Sequence, residues 1–314
     1  MKENELVKPV FKYIGGKTWL RDSLRKEITA ILQSNPHINT YSEPFSGGLG
    51  AFMSVYDLLI EHNIKNIHLN DINPTIIGFY KNLKVNKEYI IERLLHIEQG
   101  FLECIPEETY LLDKKKDKEK IKKLLIPADK YFKHIREIYN AIAESNVAKS
   151  ATLLFLQFHC FNGVYRENLK GEYNTPFNWE AKEIKEEFIE KKIENMIKVF
   201  ESFNMNFTNL SFEQIDFCKN SLYYLDPPYI NEGLNENSYA KGGFNKESQL
   251  HLIDKLKNVS FLYSNHDHPL LNEKFASLFG LENLEMTTIK RKNIMAGKAE
   301  NRGNDKNEIL VRRR

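Results

Sequence analysis

The residues best suited to chemistry are Asp226-Pro227-Pro228-Tyr229, which follow the strand-like run Leu222–Leu225. Neither proline offers a backbone N–H, so neither can continue a strand, and the pair predicts a rigid turn. The turn presents a carboxylate, the carbonyl of Pro227 and a phenol ring together. The two oxygens can accept both protons of an exocyclic amine, and the ring can stack on the base that carries it. The segment therefore predicts a site for a planar amine.

A glycine-rich turn, Glu-Pro-Phe-Ser-Gly-Gly-Leu-Gly at residues 43–50, follows an earlier strand and opens a helix. Such a turn places backbone N–H groups near a cofactor at the carboxyl end of a sheet. Asp71 comes 21 residues after Gly50, at the end of the next strand, where it could accept both hydroxyls of a ribose. A tight turn and a helix-capping acid would explain the same residues without a ligand. The spacing favours a nucleoside-containing cofactor and does not identify it.

A third segment, Phe11-Lys12-Tyr13-Ile14-Gly15-Gly16-Lys17, places a lysine after paired glycines and at the start of a helix. Paired glycines let the backbone approach a ligand closely. The start of a helix also suits a carboxylate or phosphate. By itself, however, the segment is better explained as an ordinary turn before a surface helix.

The elements around these segments predict an α/β fold with a doubly wound, Rossmann-like sheet. A strand at Thr40–Glu43 leads through the glycine turn to a helix at Leu49–Ile60. Further strands are predicted at Ile67–Leu69, Phe207–Leu210, Leu222–Leu225, Val259–Tyr263, Met286–Ile289 and Ile309–Val311, with helices through Ile76–Leu83 and Lys246–Lys257. We expect residues 1–85 and 190–314 to form the catalytic domain.

Residues 86–189 differ from their surroundings and resemble helices with polar interruptions. The charged run Lys114–Lys123 is typical of an exposed helix or a mobile insertion. A loop at Phe161–Phe177 is rich in Asn, Gly, Arg, Tyr and Pro. We expect this region to be a mainly helical domain inserted into the α/β domain.

Composition excludes several classes of protein. With 41% hydrophobic residues the chain is not disordered, and no apolar run reaches the roughly 18 residues of a membrane span. The first nine residues lack the apolar core of a secretory signal. The three cysteines (Cys104, Cys160, Cys218) give neither a disulfide framework nor a zinc spacing, so we expect no metal and a reducing cytoplasm.

A formal net charge of only +2 means that any basic surface is local. The region from Glu285 to Arg314 holds nine basic and four acidic residues, a balance of +5. We expect its loop Lys290–Arg302 to contact phosphate, with Lys298 as one example. The last three arginines are as readily explained by a solvated tail.

The chain resembles the Dam-type DNA adenine-N6 methyltransferases over roughly residues 9 to 312. The motifs occur in the family's order: Phe-x-Tyr/Trp-x-Gly-Gly-Lys, Pro-Phe-x-Gly-Gly, Asn-Asp-x-Asn, a recognition region, then Asp-Pro-Pro-Tyr. The recognition region matches Asn-Gly-x-x-Arg-x-Asn at residues 162–168 and Gly-x-[Phe/Tyr]-Asn-x-Pro-Phe at residues 171–177. Ser264-Asn265-His266-Asp267 matches a further strand end of the family.

The resemblance implies a role for each matching residue. S-adenosyl-L-methionine, which becomes S-adenosylhomocysteine, would be bound by Tyr13, Lys17, Pro44, Phe45, Gly47, Gly48, Asp71, Phe212 and Asp226. The catalytic turn would be Asp226, Pro227 and Tyr229. DNA would be contacted by Lys12, Phe161, Asn162, Val164, Arg166, Asn168 and Pro176. These residues would methylate N6 of a flipped-out adenine in a short duplex site, with GATC as the leading expectation.

The chain departs from the family in three places. The recognition region continues as Asn178-Trp179-Glu180, where members often have Gly, Arg and an aromatic residue. Ser211 replaces an acid that some members have before Phe212, and residues 101–128 resemble an insertion. The first departure leaves the outer bases of the target open.

Other interpretations stay open at this stage. An RNA or protein methyltransferase could use a similar turn, although the recognition region argues against it. A DNA-binding module without catalysis is argued against by the intact Asp226, Tyr229 and Lys17. We expect a monomer that acts on double-stranded DNA in the cytoplasm, associated with the nucleoid, alone or beside a cognate restriction endonuclease.

Overall fold

The computed structural model describes residues 6–10, 12–13, 16–144, 146–180, 182–229, 244–292 and 305–314. The chain forms two compact units, and each is built from three stretches of sequence. The helical unit comprises residues 1–18, 47–53 and 73–201, and the sheet unit comprises residues 19–46, 54–72 and 202–314.

The strands are β1 (Thr40–Glu43), β2 (Asn66–Asn70), β3 (Asn204–Thr208), β4 (Ser221–Leu225), β5 (Ser260–His266), β6 (Leu284–Lys292) and β7 (Asp305–Arg313). The helices are α1 (Arg21–Ser34), α2 (Phe52–Glu61), α3 (Pro74–Val85), α4 (Lys87–Leu102), α5 (Lys118–Leu124), α6 (Ile126–Ala141), α7 (Val147–His159), α8 (Glu186–Glu201), α9 (Lys246–Lys255) and α10 (Pro269–Phe279).

All of these strands lie in the sheet unit and form one sheet in the order β3-β2-β1-β4-β5-β7-β6. The strands β1 to β5 pair in parallel, and β7 is antiparallel to both of its neighbours. The chain runs outward from β1 in one direction to β2 and β3, and later in the other to β4 and β5. The carboxyl ends of β1 and β4 therefore flank the topological switch point, where ligands bind in open α/β sheets.

The core of the sheet unit explains why the sequences of β4 and β5 lack an alternation of apolar and polar residues. Every residue of β4 is buried, and in β5 residues 261–265 are buried. One buried cluster joins Leu225 and Tyr263 of the sheet to Leu252 of α9 and Phe275 of α10. Strands buried on both faces lose the alternation of an exposed sheet.

The helical unit packs around α7, whose residues 149–157 and 159 are all buried. Its core is aromatic: the ring of Phe155 meets those of Phe101, Phe132 and Tyr131 at centroid distances of 5.5, 6.4 and 6.1 Å. The charged run Lys114–Lys123 forms a turn, closed by two backbone N–H bonds to Asp113 Oδ1, and then most of α5.

The mixed α/β class with a mostly parallel sheet is confirmed. The first helix after β1 begins at Phe52, not at Leu49 as predicted, because Leu49 has a φ of 61° and cannot start a right-handed helix. Lys290, Arg291 and Lys292 belong to β6 rather than to a loop. The rest of the predicted phosphate-contacting loop, with Lys298, lies outside the described residues, as do Phe11, Ile14 and Gly15. None of the helices in the described part of the chain has the length and apolarity of a membrane span.

Candidate functional site

The Asp-Pro-Pro-Tyr turn follows β4 directly, at the switch point of the sheet. Pro227 is buried, and Asp226 and Tyr229 are half-buried. Ser264 Oγ of β5 lies 3.1 Å from Asp226 Oδ1, and the buried Tyr224 hydroxyl lies 3.1 Å from the same Oγ. Because a serine hydroxyl has one proton, Ser264 donates to the carboxylate and Tyr224 donates to Ser264. One oxygen of Asp226 is thus held by a buried side chain.

Two further buried side chains hold the rest of the turn. Gln249 of α9 donates from Nε2 to the carbonyl of Pro228 at 2.6 Å, and its Oε1 accepts from Tyr263 at 2.5 Å. Tyr229 donates to Glu308 Oε2 of β7 at 3.0 Å. The turn is therefore fixed by three buried side chains: Ser264 of β5, Gln249 of α9 and Glu308 of β7.

The tyrosines of this edge keep their protons. Burial raises the pKa of Tyr224 well above 10, and the nearby Asp226 carboxylate raises it further. Burial likewise raises the pKa of Tyr229, and the Asp226 carboxylate adds a smaller increase. Both phenols therefore remain hydrogen-bond donors at neutral pH, as their contacts require.

Asn70 joins the carboxyl ends of β1, β2 and β3. It is fully buried, and its Nδ2 donates to the carbonyls of Pro44 at 2.9 Å and Leu210 at 3.0 Å. Its Oδ1 accepts from Leu210 N at 2.9 Å and from the Thr208 hydroxyl at 2.8 Å. With all four bonds made, Asn70 fixes the backbone that leads to Phe45 and Phe212 and the strand end that carries Asp71.

Phe45 and Phe212 form an aromatic cluster with Phe244. The ring centroids are 5.9 Å apart for Phe45 and Phe212, and Phe244 lies 5.4 Å from each. In the same unit, Asp71 directly follows β2, and its backbone N–H bonds to the carbonyl of Thr208 at 3.3 Å. An aromatic wall and a strand-end carboxylate fit the adenine and the ribose of the predicted cofactor.

The helical unit holds the other predicted cofactor residues. A Cβ atom added to Gly48 would lie 2.4 Å from Cβ of Tyr13, and one added to Gly47, which has a φ of 45°, would lie 3.0 Å from the Tyr13 ring. Only glycine lets Tyr13 pack against this turn. Lys17 is buried, and a Cβ on Gly50 would lie 3.2 Å from its backbone nitrogen.

The predicted DNA-contacting residues all belong to the helical unit, and some of them are joined by backbone contacts. Lys12 pairs with Val164 in a parallel β-bridge, and Phe161 N bonds to the carbonyl of Pro176 at 2.8 Å. The side chain of Phe161 is 55% exposed, although it is apolar. Asn162 is exposed and has a φ of 58°, a conformation that asparagine tolerates better than most residues.

Arg166 and Asn168 have different surroundings. The side-chain oxygen of Asn174 accepts from Arg166 Nε at 2.7 Å, and the backbone carbonyl of Asn174 accepts from Arg166 Nη2 at 3.0 Å. These contacts orient an exposed guanidinium. Asn168 Oδ1 accepts from the N–H groups of Lys170 and Glu172, and its Nδ2 donates to the Glu172 carboxylate at 2.7 Å. The Asn168 side chain therefore closes a hairpin turn, and its contact with DNA stays a prediction.

A buried hydrogen-bonded pair flanks the predicted recognition region, residues 162–177. His159 Nε2 lies 2.7 Å from Glu98 Oε2, and the other oxygen of Glu98 accepts from Ile184 N at 2.8 Å. Downstream, Trp179 packs edge-on against Phe177 with ring centroids 5.5 Å apart. Glu180 bonds to Lys182 at 2.8 Å, and this contact lowers the pKa of its carboxyl. Glu180 thus already has a cationic partner.

The sequence patterns did not predict Gln249, Glu308 and Phe244 as part of the site. Gln249 occupies the same buried face of α9 as Leu252 and Ile253, so a polar residue at a core position was the available signal. Glu308 opens the buried run Ile309-Leu310-Val311, where a carboxyl group has few structural reasons to be. Phe244 offered no comparable signal.

Comparison with known proteins agrees with this geometry. The family model for the D12 class N6 adenine-specific DNA methyltransferases matches residues 13–289. The chain is 30% identical over 253 residues to the Type II methyltransferase M.MjaIII of Methanocaldococcus jannaschii, covering 78% of each chain. It is 26% identical to a DNA adenine methylase of Vibrio cholerae, covering 82% of this chain and 80% of the relative.

A third relative is longer than this chain. The chain is 29% identical over 277 residues to the Type II methyltransferase M.FokI of Planomicrobium okeanokoites, covering 84% of this chain but 36% of that protein. The family match spans the glycine turn, the recognition loops and the Asp-Pro-Pro-Tyr turn. The chain therefore belongs to the D12 class of N6 adenine-specific DNA methyltransferases.

Proposed function

We propose that the protein transfers a methyl group from S-adenosyl-L-methionine to N6 of an adenine in duplex DNA, with the Asp-Pro-Pro-Tyr turn as its catalytic centre. The observation that carries the proposal is the placement of this turn at the carboxyl end of β4, beside the end of β1. In open α/β sheets this is where ligands bind. The same edge carries Asp71 and the aromatic cluster of Phe45, Phe212 and Phe244.

The cofactor residues of the two units have different tasks in this proposal. In the sheet unit, Asp71 accepts the ribose hydroxyls, and Phe45 and Phe212 contact the adenine of the cofactor. In the helical unit, Tyr13, Lys17, Gly47 and Gly48 serve the methionine end. When bound, the cofactor supplies an electrophilic methyl group on a sulfonium centre.

The catalytic turn acts on the target amine. The lone pair of adenine N6 is delocalised into the ring, so N6 is a poor nucleophile in its planar form. The Asp226 carboxylate and the Pro227 carbonyl accept hydrogen bonds from the two amine protons and favour a pyramidal nitrogen. These bonds strengthen as positive charge develops on N6, which is how they accelerate the reaction. Tyr229 stacks on the base and orients it.

The target base must leave the duplex to reach this turn. Phe161 is the residue best suited to fill the gap in the base stack, since it is apolar and exposed beside the backbone-constrained Asn162. Arg166, with its guanidinium oriented by Asn174, is suited to bidentate reading of a guanine edge. Val164 and Pro176 can meet a thymine methyl group.

We further propose that the site is GATC or a close variant, because the central recognition residues match the family and residues 178–180 do not. The departure lies at residues 178–180, where Glu180 is already paired with Lys182. We therefore expect any difference from GATC to fall at a flanking base pair. The enzyme would act as a monomer on cytoplasmic, nucleoid-associated DNA, alone or with a restriction endonuclease. Methylation-aware sequencing of DNA from expressing cells would identify the site, and sedimentation would give the oligomeric state.

Methyl transfer is tested with labelled S-adenosyl-L-methionine and three acceptors: duplex DNA, RNA and protein. We expect label only in duplex DNA, on adenine N6. Asp226→Ala should abolish transfer, because the amine loses its main acceptor, while thermal unfolding stays close to that of the wild type.

The matched control is Asp254→Ala, which removes an exposed carboxylate of α9 paired with Lys274. It should retain full activity. Label in RNA or protein instead of DNA would contradict the substrate, and a folded Asp226→Ala with near wild-type turnover would remove Asp226 from the catalytic role.

Cofactor binding is tested separately by calorimetry. Asp71→Ala should weaken S-adenosyl-L-methionine binding by about 1 to 3 kcal/mol, the usual cost of losing a charged hydrogen-bond partner. Asp22→Ala, in the first turn of α1, is the control and should bind normally. Equal affinities of wild type and Asp71→Ala would exclude the ribose contact.

A further inference from the structure

The ring of Tyr229 is fixed at two points by neighbouring strands. His266 of β5 contacts the ring edge-on, with centroids 4.6 Å apart and ring planes at 71°. Glu308 of β7 accepts the hydrogen bond of the phenol at 3.0 Å. His266 and Glu308 are partners in the β5–β7 ladder, so both contacts come from one paired position of the sheet.

Glu308 is a costly residue to place here. It is 2% exposed, and the next three residues of β7 are buried and apolar. A buried carboxyl group destabilises a fold unless donors compensate it, and hydrophobic residues would serve the strand better. The Tyr229 hydroxyl is one such donor, and burial keeps it protonated by raising its pKa. The position therefore points to a task at the catalytic turn.

We propose that Glu308 is a positioning residue of the methyl-transfer reaction, which holds the Tyr229 ring in the orientation that stacks on the target adenine. The inference rests on the proposed function, since it takes adenine as the substrate. Glu308 acts through Tyr229 and does not touch the base. Without it the ring loses one of the contacts that orient it, and a misplaced base reacts slowly even when the cofactor binds normally.

Tyr229→Phe is the sharpest test, because phenylalanine keeps the stacking face and loses only the hydroxyl. We expect kcat to fall about tenfold or more, as small misplacements of a reacting group do. The calorimetric Kd for S-adenosyl-L-methionine should stay unchanged. With 2-aminopurine in place of the target adenine, fluorescence of the enzyme–duplex complex should rise above that of the wild-type complex, because a loosely stacked base is less quenched.

The partner variants test Glu308 itself. Glu308→Ala should lower kcat as Tyr229→Phe does, and Glu308→Gln should recover most of it, because the amide oxygen still accepts from the phenol. The double variant Tyr229→Phe/Glu308→Ala should be no slower than the slower single variant, since each single change already removes the same Tyr229–Glu308 hydrogen bond. Glu285→Gln, at a half-exposed acid of β6, is the control and should be unaffected.

The outcomes separate the two proposals. A wild-type enzyme that leaves adenine in duplex DNA unmethylated overturns the proposed function and this inference with it. A wild-type enzyme that methylates adenine, with Tyr229→Phe equally fast, overturns the inference alone, as do additive losses in the double variant. If Glu308→Ala does not fold, the comparison of Tyr229→Phe with the wild type decides.

Discussion

At the scale of single residues, the structure distinguishes side chains that are exposed to a ligand from side chains that hold the backbone in place. Arg166 and Asn168 lie two positions apart and match the same family motif. Arg166 presents an exposed guanidinium, whereas the polar atoms of Asn168 bind within its own turn. The motif does not distinguish the two residues, and the contacts favour Arg166 over Asn168 as a candidate for reading a base.

The exposed, oriented guanidinium of Arg166 predicts which substitutions reduce discrimination between base pairs. Arg166→Ala should lose about 1 to 3 kcal/mol of discrimination at one base pair. Asn174→Ala should cause a smaller loss at the same base pair, because it removes the Oδ1 acceptor that orients Nε. The measurement is kcat/KM on duplexes varied one base pair at a time. An equal loss on every duplex would mean that Arg166 contacts the DNA backbone, and an Asn174→Ala effect at a different base pair would refute the orienting role.

At the scale of elements, the glycine turn is a packing surface for Tyr13. Gly48→Ala places a Cβ atom 2.4 Å from Cβ of Tyr13, so one of them must move. We expect it to destabilise the protein by about 1 to 3 kcal/mol, the usual cost of overpacking. Tyr13→Gly, which removes the clashing Cβ atom, should remove most of that cost when the two are combined. Urea unfolding of the four proteins measures both effects, and an undiminished cost in the Tyr13→Gly background would contradict the packing explanation.

The elements also show how much of the fold the sequence alone predicts. Strand β1 was predicted to the residue and β4 to within one residue, because Thr40–Glu43 and Leu222–Leu225 are bounded by turn-forming residues. Helix α8 was not predicted, although its buried Ile189, Ile193 and Met196 follow helical spacing, because its sixteen residues are mostly charged or polar. The side chains that hold the Asp-Pro-Pro-Tyr turn come from β5, α9 and β7, which follow much later in the chain, and a local sequence pattern does not predict such contacts.

At the scale of the whole molecule, we expect buried tyrosines to set the alkaline limit of stability. Burial raises the pKa of Tyr41, Tyr224 and Tyr263 above the ordinary value of 10. Above about pH 10 the unfolded chain releases these protons and the folded chain keeps them, so the free energy of unfolding falls as pH rises. We expect little change in stability between about pH 7 and 9 from these groups, and a steep loss beyond about pH 10.

The measurement is the urea midpoint across this pH range, with ultraviolet absorbance of tyrosinate followed in the same samples. Tyrosinate from these three residues should appear together with unfolding rather than before it. Tyr41→Phe removes one buried phenol, so it should make the alkaline loss of stability shallower. Full ionisation of all tyrosines in a still-folded protein would contradict this explanation.

The position of β7 also bears on how the sheet is completed. Strand β7 follows the other described strands in sequence, yet it lies between β5 and β6 and pairs with both. Until β7 is in place, β5 keeps an unpaired edge, which is the kind of surface that invites aggregation. The same strand supplies Glu308, the acceptor of the Tyr229 hydrogen bond. We therefore expect synthesis of β7 to complete the sheet and the Asp-Pro-Pro-Tyr turn together, so a nascent chain without β7 would lack both the partner of β5 and the acceptor of Tyr229.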